Sequence, residues 1–179
     1  MDSLLIALRS VIRSHVGRGF PYEDLASALS ARGRSLTFNQ EELEAAVENP
    51  RDSFLLLSFL YPGARFDQTR YHIDHVFPKS RFTKARLRAV GIASDDVQTY
   101  LDRVNCLPNL LLLNETENQE KSDLMPLEWL ERFYADADSR AQRVEMHDLG
   151  EIPSDMHGFN DWYEARRERV LERLRDILG

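Results

Sequence analysis

Cysteine is almost missing from this chain. Cys106 stands alone among 179 residues, so no disulfide can close within the chain and a four-cysteine zinc site is excluded. A single thiol also favours a reducing compartment. No apolar run is long enough to span a bilayer and no secretory leader pattern opens the sequence, so the expectation is a cytoplasmic protein with no membrane partner. There is no GxxxxGK[ST] signature for cradling nucleotide phosphates, no internal repeat and no low-complexity tract. Positive charge is in short supply too. Lys and Arg number 23 against 30 Asp and Glu, for a net charge of −7. On its face that balance argues against a nucleic-acid partner.

What is present reads as soluble and globular: 42% hydrophobic and 30% charged residues, in a length that suits one domain or one plus a small appendage. The charge is unevenly spread. Between residues 70 and 88 stand Arg70, Lys79, Arg81, Lys84, Arg86 and Arg88, with Asp74 as the lone acid. Glu41, Glu42, Glu44 and Glu48 gather elsewhere. A local basic patch can engage phosphate even on an acidic protein, although a charge run can equally be a solvated face.

Helical spacing dominates the flanks. Residues 3–15 place Leu4, Leu5, Leu8, Val11 and Ile12 on one stripe, and Pro21 opens a second helix that Gly33 stops. Asn39 is the expected cap of QEELEAAVEN. The run Phe54–Tyr61 fits buried helix or strand, and is assigned to helix. Pro126 opens PLEWLERFYADA, with Leu127, Leu130 and Phe133 as its core stripe and Trp129 or Tyr134 at the edges. A loop from His147 to Asn160 then leads into a long helix, with Asn160 as its expected cap. His147 and His157 share that loop without a cysteine partner, and their role is left open.

The chain is organised around YHIDHVFPKS, Tyr71 to Ser80. As a strand it would put His72, Asp74 and Val76 on one face and Ile73, His75 and Phe77 on the other, ending at Pro78. Asp is a hard oxygen ligand for Mg²⁺, and His is the usual general base near neutral pH. Taken alone, the pattern also fits a half-buried strand with incidental polar residues. A second informative stretch is NLLLLNETENQEKS, Asn109 to Ser122. Leu110–Leu113 reads as a buried strand, Asn114 as a turn, and Glu117–Leu124 as a helix. Residues 81–104 form a helical insertion between the two strands.

With both stretches together, the chain resembles the HNH family of ββα-metal nucleases. The resemblance rests on the Asp74-His75 pair, Pro78 three residues on, the N-L-x-L-L run from Asn109, and Asn118 followed by Lys121 and Ser122. It covers residues 70–125 and is similar to the HNH domain of RNA-guided CRISPR effector nucleases. The flanking helices and the F-P-K-S ending resemble the C-terminal nuclease domain of GmrSD-type modification-dependent restriction enzymes.

The resemblance implies a fold and a set of roles. The fold would be α+β: a mostly helical domain with an embedded two-stranded antiparallel hairpin plus helix. Residues 1–66 would form an N-terminal helical region, 67–135 the nuclease core, and 136–179 a C-terminal loop and helix packed on it. His75 would be the general base. Asp74 and Asn118 would hold one Mg²⁺ or Mn²⁺, with His72 as a further metal ligand or phosphate contact. Asn109 would hold the loop and orient His75. Lys79, Arg81, Lys84 and Lys121 would meet nucleic acid, Lys121 alternatively holding its helix. The chain departs from many HNH nucleases in having Asn118 where they have His, and Ser122 in place of a last His. Such oxygen donors favour Mg²⁺ or Mn²⁺ over Zn²⁺.

The implied function is metal-dependent DNA endonuclease, the effector of a restriction or anti-phage defence system. Its target would be DNA, with modified DNA one option. Its partner would be a nucleotide-hydrolysing module carried at the N-terminus or on another chain. The alternatives are a catalytically inactive DNA- or protein-binding module on the same fold, and a purely structural helical protein.

Overall fold

The computed structural model describes residues 10–11, 13–14, 22–31, 39–51, 53–66 and 68–178. Contacts divide the chain into two compact units, residues 1–39 with 178–179 and residues 40–177. In the first unit, helix α1 spans Tyr22–Ser30 and buries Leu29. Of the helix expected over residues 3–15, positions 10, 11, 13 and 14 are described and helical. His15 and the Gly33 stop lie outside the described residues.

The second unit opens with α2 (Gln40–Glu48), directly after Asn39, and α3 (Ser53–Leu60). The ambiguous run is therefore helix. It is built from Leu, Phe and Ser, with no β-branched residue to restrict the helical backbone. One side of α3 buries Leu56, Leu57 and Leu60, while Phe54 and Leu55 stay exposed.

Strand β1 (Tyr71–His75) pairs antiparallel with β2 (Leu110–Asn114), placing Tyr71 opposite Asn114, Asp74 opposite Leu111 and His75 opposite Leu110. All four leucines of β2 are buried. The chain between the strands is helical: a 3₁₀ turn at Lys79–Arg81, α4 (Lys84–Ala89), α5 (Val97–Arg103) and a 3₁₀ turn at Leu107–Asn109. Thr83 caps α4 by accepting from the Arg86 amide. Gly91 follows that helix with φ +89°, a left-handed conformation that any Cβ would strain.

Asn114 closes β2 and opens α6 (Glu115–Lys121). Its side chain accepts from the Glu117 amide while the Glu117 carboxylate reaches back, a reciprocal capping box. The helix thus starts two residues earlier than the expected Glu117, with no turn between strand and helix. α7 (Pro126–Phe133) and α8 (Ala137–Met146) follow, then a 3₁₀ turn at Met156–Gly158 and α9 (Phe159–Leu178).

Three expectations are corrected here. Trp129 is fully buried at the centre of the α7 stripe and Leu127 and Phe133 are its edges, because the indole fills more of the core than either aliphatic neighbour. The helix from Pro126 stops at Phe133, since Asp136 caps a separate α8 through the Ser139 amide. Asn160 is the second residue of α9 and not its cap; its Oδ1 accepts from Arg103 at 2.9 Å.

The core that supports the hairpin is aromatic. Phe77 lies 4.8 Å from Trp162 and 5.3 Å from Phe159, ring centre to ring centre, and Phe82 lies 4.8 Å from Phe159. Such pairs contribute about 0.5–1.5 kcal/mol each beyond their buried area. The chain just past His75 is therefore clamped onto α9, and the end of β1 has a fixed position. Among the described residues, no helix is long and apolar enough to cross a membrane.

Candidate functional site

Asp74 and His75 sit at the last two positions of β1, so their side chains leave opposite faces of the sheet. His72 shares the face of Asp74, and its cross-strand partner is Leu113. Ile73, on the other face with Tyr71 and His75, is exposed.

The general-base candidate is held by a residue that the sequence did not single out. His75 Nε2 lies 3.2 Å from Asn105 Oδ1. An amide oxygen cannot donate, so Nε2 carries the hydrogen and Nδ1 keeps a lone pair. Burial pushes the His75 imidazole below its ordinary range; the Asn105 bond and the Asp74 charge act the other way, and Lys79 and Lys121 reinforce the lowering. The ring is consequently neutral near pH 7, the form that can accept a proton. The one signal for Asn105 in the sequence is an amide just ahead of Asn109, in NCLPN.

Asn109 is completely buried and bonds entirely to backbone. Its Oδ1 accepts from the Phe77 amide at 2.9 Å, and its Nδ2 donates to the Phe77 carbonyl at 3.2 Å and the Val104 carbonyl at 2.9 Å. Its own carbonyl accepts from the Val76 amide at 2.8 Å. One side chain therefore ties the chain after His75 to the chain before β2. Behind it, buried Arg166 on α9 donates to the Pro108 carbonyl and, at 2.9 Å, to the His147 carbonyl. Desolvation lowers the Arg166 pKa to about 10, which leaves it cationic at neutral pH.

The opposite face carries the charge. Lys121, at the end of α6, places Nζ 3.1 Å from Asp74 Oδ2; the lysine side chain is 0% exposed and the aspartate 19%. The contact is an ion pair without hydrogen-bond alignment, since both Nζ and Oδ2 remain without hydrogen-bond partners. Burial lowers the Lys121 pKa and Asp74 pulls it back up. His72 Nε2 is a third buried atom with no partner. Asn118, half-buried, lies one turn before Lys121 on the same side of α6.

These orphaned atoms are the test of whether a metal fits. Buried polar groups are nearly always bonded, and one that is not can mark an ion or water. Asp74, His72 and Asn118 offer one carboxylate, one imidazole and one amide. That is a sparse, mostly oxygen set, suited to a Mg²⁺ or Mn²⁺ that keeps several of its waters. Among the described residues, no three His, Cys, Asp or Glu gather to hold a metal.

The remaining residues singled out from the sequence are placed as follows. Lys79, Arg81 and Lys84 are exposed along the turn and helix after β1, as are Arg86 and Arg88. Lys121 does not join them at the surface. His147 is buried at the end of α8, with Nδ1 2.7 Å from the Tyr61 hydroxyl, and desolvation lowers its pKa to about 3. His157 is exposed on the turn before α9. Cys106 is buried, its single S–H shared between the Glu48 and Asp102 carbonyls at 3.3 and 3.2 Å, and burial raises its pKa to about 11. That thiol is protonated and chemically quiet at neutral pH. No family model matches the chain, and no curated protein matches it.

Proposed function

We propose that this chain is an HNH-type endonuclease that hydrolyses DNA phosphodiester bonds with a divalent metal, and that it serves as the effector part of a restriction or anti-phage defence system. One observation carries the reading. Two segments distant in the sequence form an antiparallel hairpin followed at once by a helix, and the helix returns Lys121 onto Asp74, the residue before His75 in the chain.

The chemistry assigned to each residue follows from its surroundings. His75 Nδ1 accepts the proton of an attacking water, while Asn105 fixes the ring and its tautomer. Asp74, Asn118 and His72 would hold Mg²⁺ or Mn²⁺, which supplies charge neutralisation for the phosphoryl group as negative charge builds. Asn109 acts at a distance, by locking the backbone that follows His75. Exposed Lys79, Arg81 and Lys84 bind phosphates without reading sequence. Modified DNA as the preferred target, and a nucleotide-hydrolysing partner module, belong to the same proposal through the resemblance to GmrSD-type enzymes.

The test is nicking of supercoiled plasmid with Mg²⁺. A positioned general base contributes about 10²–10⁴-fold, so His75→Ala should slow nicking by that factor with its circular dichroism spectrum unchanged. Equal rates for His75→Ala and wild type sink the proposal. A second reading, a DNA-binding module without turnover, is favoured by Lys121, which already neutralises Asp74. It predicts retardation of DNA on a gel with no cleavage even in Mn²⁺.

A further inference from the structure

We propose that Lys121 is a resident internal cation of the candidate site. It fixes the Asp74 carboxylate by taking one oxygen, and in doing so it weakens the grip of Asp74 on a divalent ion. The inference rests on the nuclease reading only in taking Asp74 as the metal ligand.

A lysine at this position is not explained by packing. Its side chain is 0% exposed, and an apolar side chain of the same length would fill the space without desolvating a charge. An ammonium carries three donors, and none meets an aligned acceptor among the described residues. The charge is therefore held in the core chiefly by Asp74 Oδ2, at 3.1 Å, with a further contribution from the charge of Asp123. It cannot act on a nucleic-acid phosphate from there, whereas Lys79 and Lys84 can, both being exposed. What it does touch is the carboxylate of Asp74, the residue before the general base in the chain.

Two consequences follow. Asp74 keeps a partner and one orientation before any metal arrives, so the hairpin and α6 do not depend on the ion to stay together. A divalent ion binding the same carboxylate must also tolerate a positive charge a few ångströms away in a medium less polarisable than water, where such repulsion is strong. Lys121 is thus a positioning residue for Asp74 and sets a ceiling on metal affinity.

The experiment measures Mn²⁺ binding directly, by calorimetry and by the electron paramagnetic resonance of free Mn²⁺, with no nucleic acid present. Lys121→Met should bind Mn²⁺ at least about tenfold more tightly than wild type, and Lys121→Arg should match wild type. Lys121→Gln, neutral but polar, gives the same reading should the methionine variant not fold. Unchanged or weaker Mn²⁺ binding by a folded neutral variant overturns the inference.

A measurement on the unmutated protein stands beside these. The chain has three lysines, Lys79, Lys84 and Lys121, so ε-methylene signals in lysine-labelled protein are readily separated. Substoichiometric Mn²⁺ should broaden the Lys121 signal before the other two. Broadening of Lys79 or Lys84 first also overturns it. Asp74→Asn distinguishes the two levels of failure. If it binds Mn²⁺ as wild type does, the metal role of Asp74 fails. If it loses binding while Lys121→Met gains nothing, only the role of Lys121 fails.

Discussion

Asn109 and Lys121 are both completely buried polar side chains, one just before β2 and the other at the end of α6. They are treated in opposite ways. Every bonding group of the Asn109 amide meets a backbone partner, whereas the Lys121 ammonium meets a carboxylate and no aligned acceptor. A satisfied buried group holds structure together, and its value is measured in stability. An unsatisfied one costs stability and persists where something else is gained. The molecule therefore separates a backbone knot, centred on Asn109, from a charged pair, Asp74 and Lys121.

The strongest way to break that contrast is Asn109→Ala. It leaves the Phe77 amide, the Phe77 carbonyl and the Val104 carbonyl without their partner, and each buried unpaired group costs about 1–3 kcal/mol. The expected loss is about 3 kcal/mol or more in urea unfolding of residues 40–177, with His75 released from its fixed position as a consequence. Asn109→Asp, which keeps an acceptor but removes the two donors and adds a charge, should not rescue it. A loss below about 1 kcal/mol in Asn109→Ala would mean that the knot is not what holds the end of β1.

The two histidines with lowered pKa values sharpen the same contrast. His147 is packed under Tyr61 with its pKa lowered to about 3, while His75, also lowered by burial, is the candidate base of the site. In the unfolded chain each titrates near the ordinary value of about 6.5. Between that value and the folded one, the unfolded state binds the extra proton, so stability is complete above pH ~6.5 and is lost as pH falls. For His147 the loss should continue to about pH 3, with a slope of at most about 1.4 kcal/mol per pH unit. His147→Phe, which keeps a ring in the packed position and cannot titrate, should flatten a plot of unfolding free energy against pH over that range. An unaltered plot would show that His147 takes up its proton over the same pH range folded and unfolded, and that burial does not lower its pKa.

The candidate site was legible in the sequence as a pattern, and the knot only partly. Alternation places His72 with Asp74 and opposite His75 because strand geometry fixes it, and the apolar run of β2 marks a buried partner strand. Asn114 reads as a turn from its type alone. Its capping role depends on Glu117 reaching back, which joins strand and helix with no residue between. What sequence could not carry was the long-range bonding. Asn105 holds His75 across the whole helical insertion, and Lys121 folds inward where its charge reads as a surface contact. Arg166, Arg167 and Arg173 lie in the long last helix, whose partners the sequence does not name. They reach Pro108, Glu48 and Asp148 on other elements. Periodicity reports which side of an element is apolar, and it has no term for which distant carbonyl or carboxylate waits there.

The smallest effect separates the four cations that the HNH resemblance assigns to nucleic acid. Lys79, Arg81 and Lys84 are exposed and Lys121 is not. Each phosphate contact contributes about −0.9 to the slope of log affinity against log salt on duplex DNA. Replacing Lys79, Arg81 and Lys84 together by Gln should make the slope shallower by up to about 2.7 on that scale, and weaken binding across sequences without changing which sequences are preferred. Lys121→Met should leave the slope where it is, because a buried ammonium paired with Asp74 releases no counterion from DNA. Anisotropy titrations of a labelled duplex at four or five salt concentrations measure both. A slope that falls by one contact in Lys121→Met would place that ammonium on the phosphate backbone in the complex, and the division between knot, ion pair and surface would have to be redrawn with Asp74 released when DNA binds.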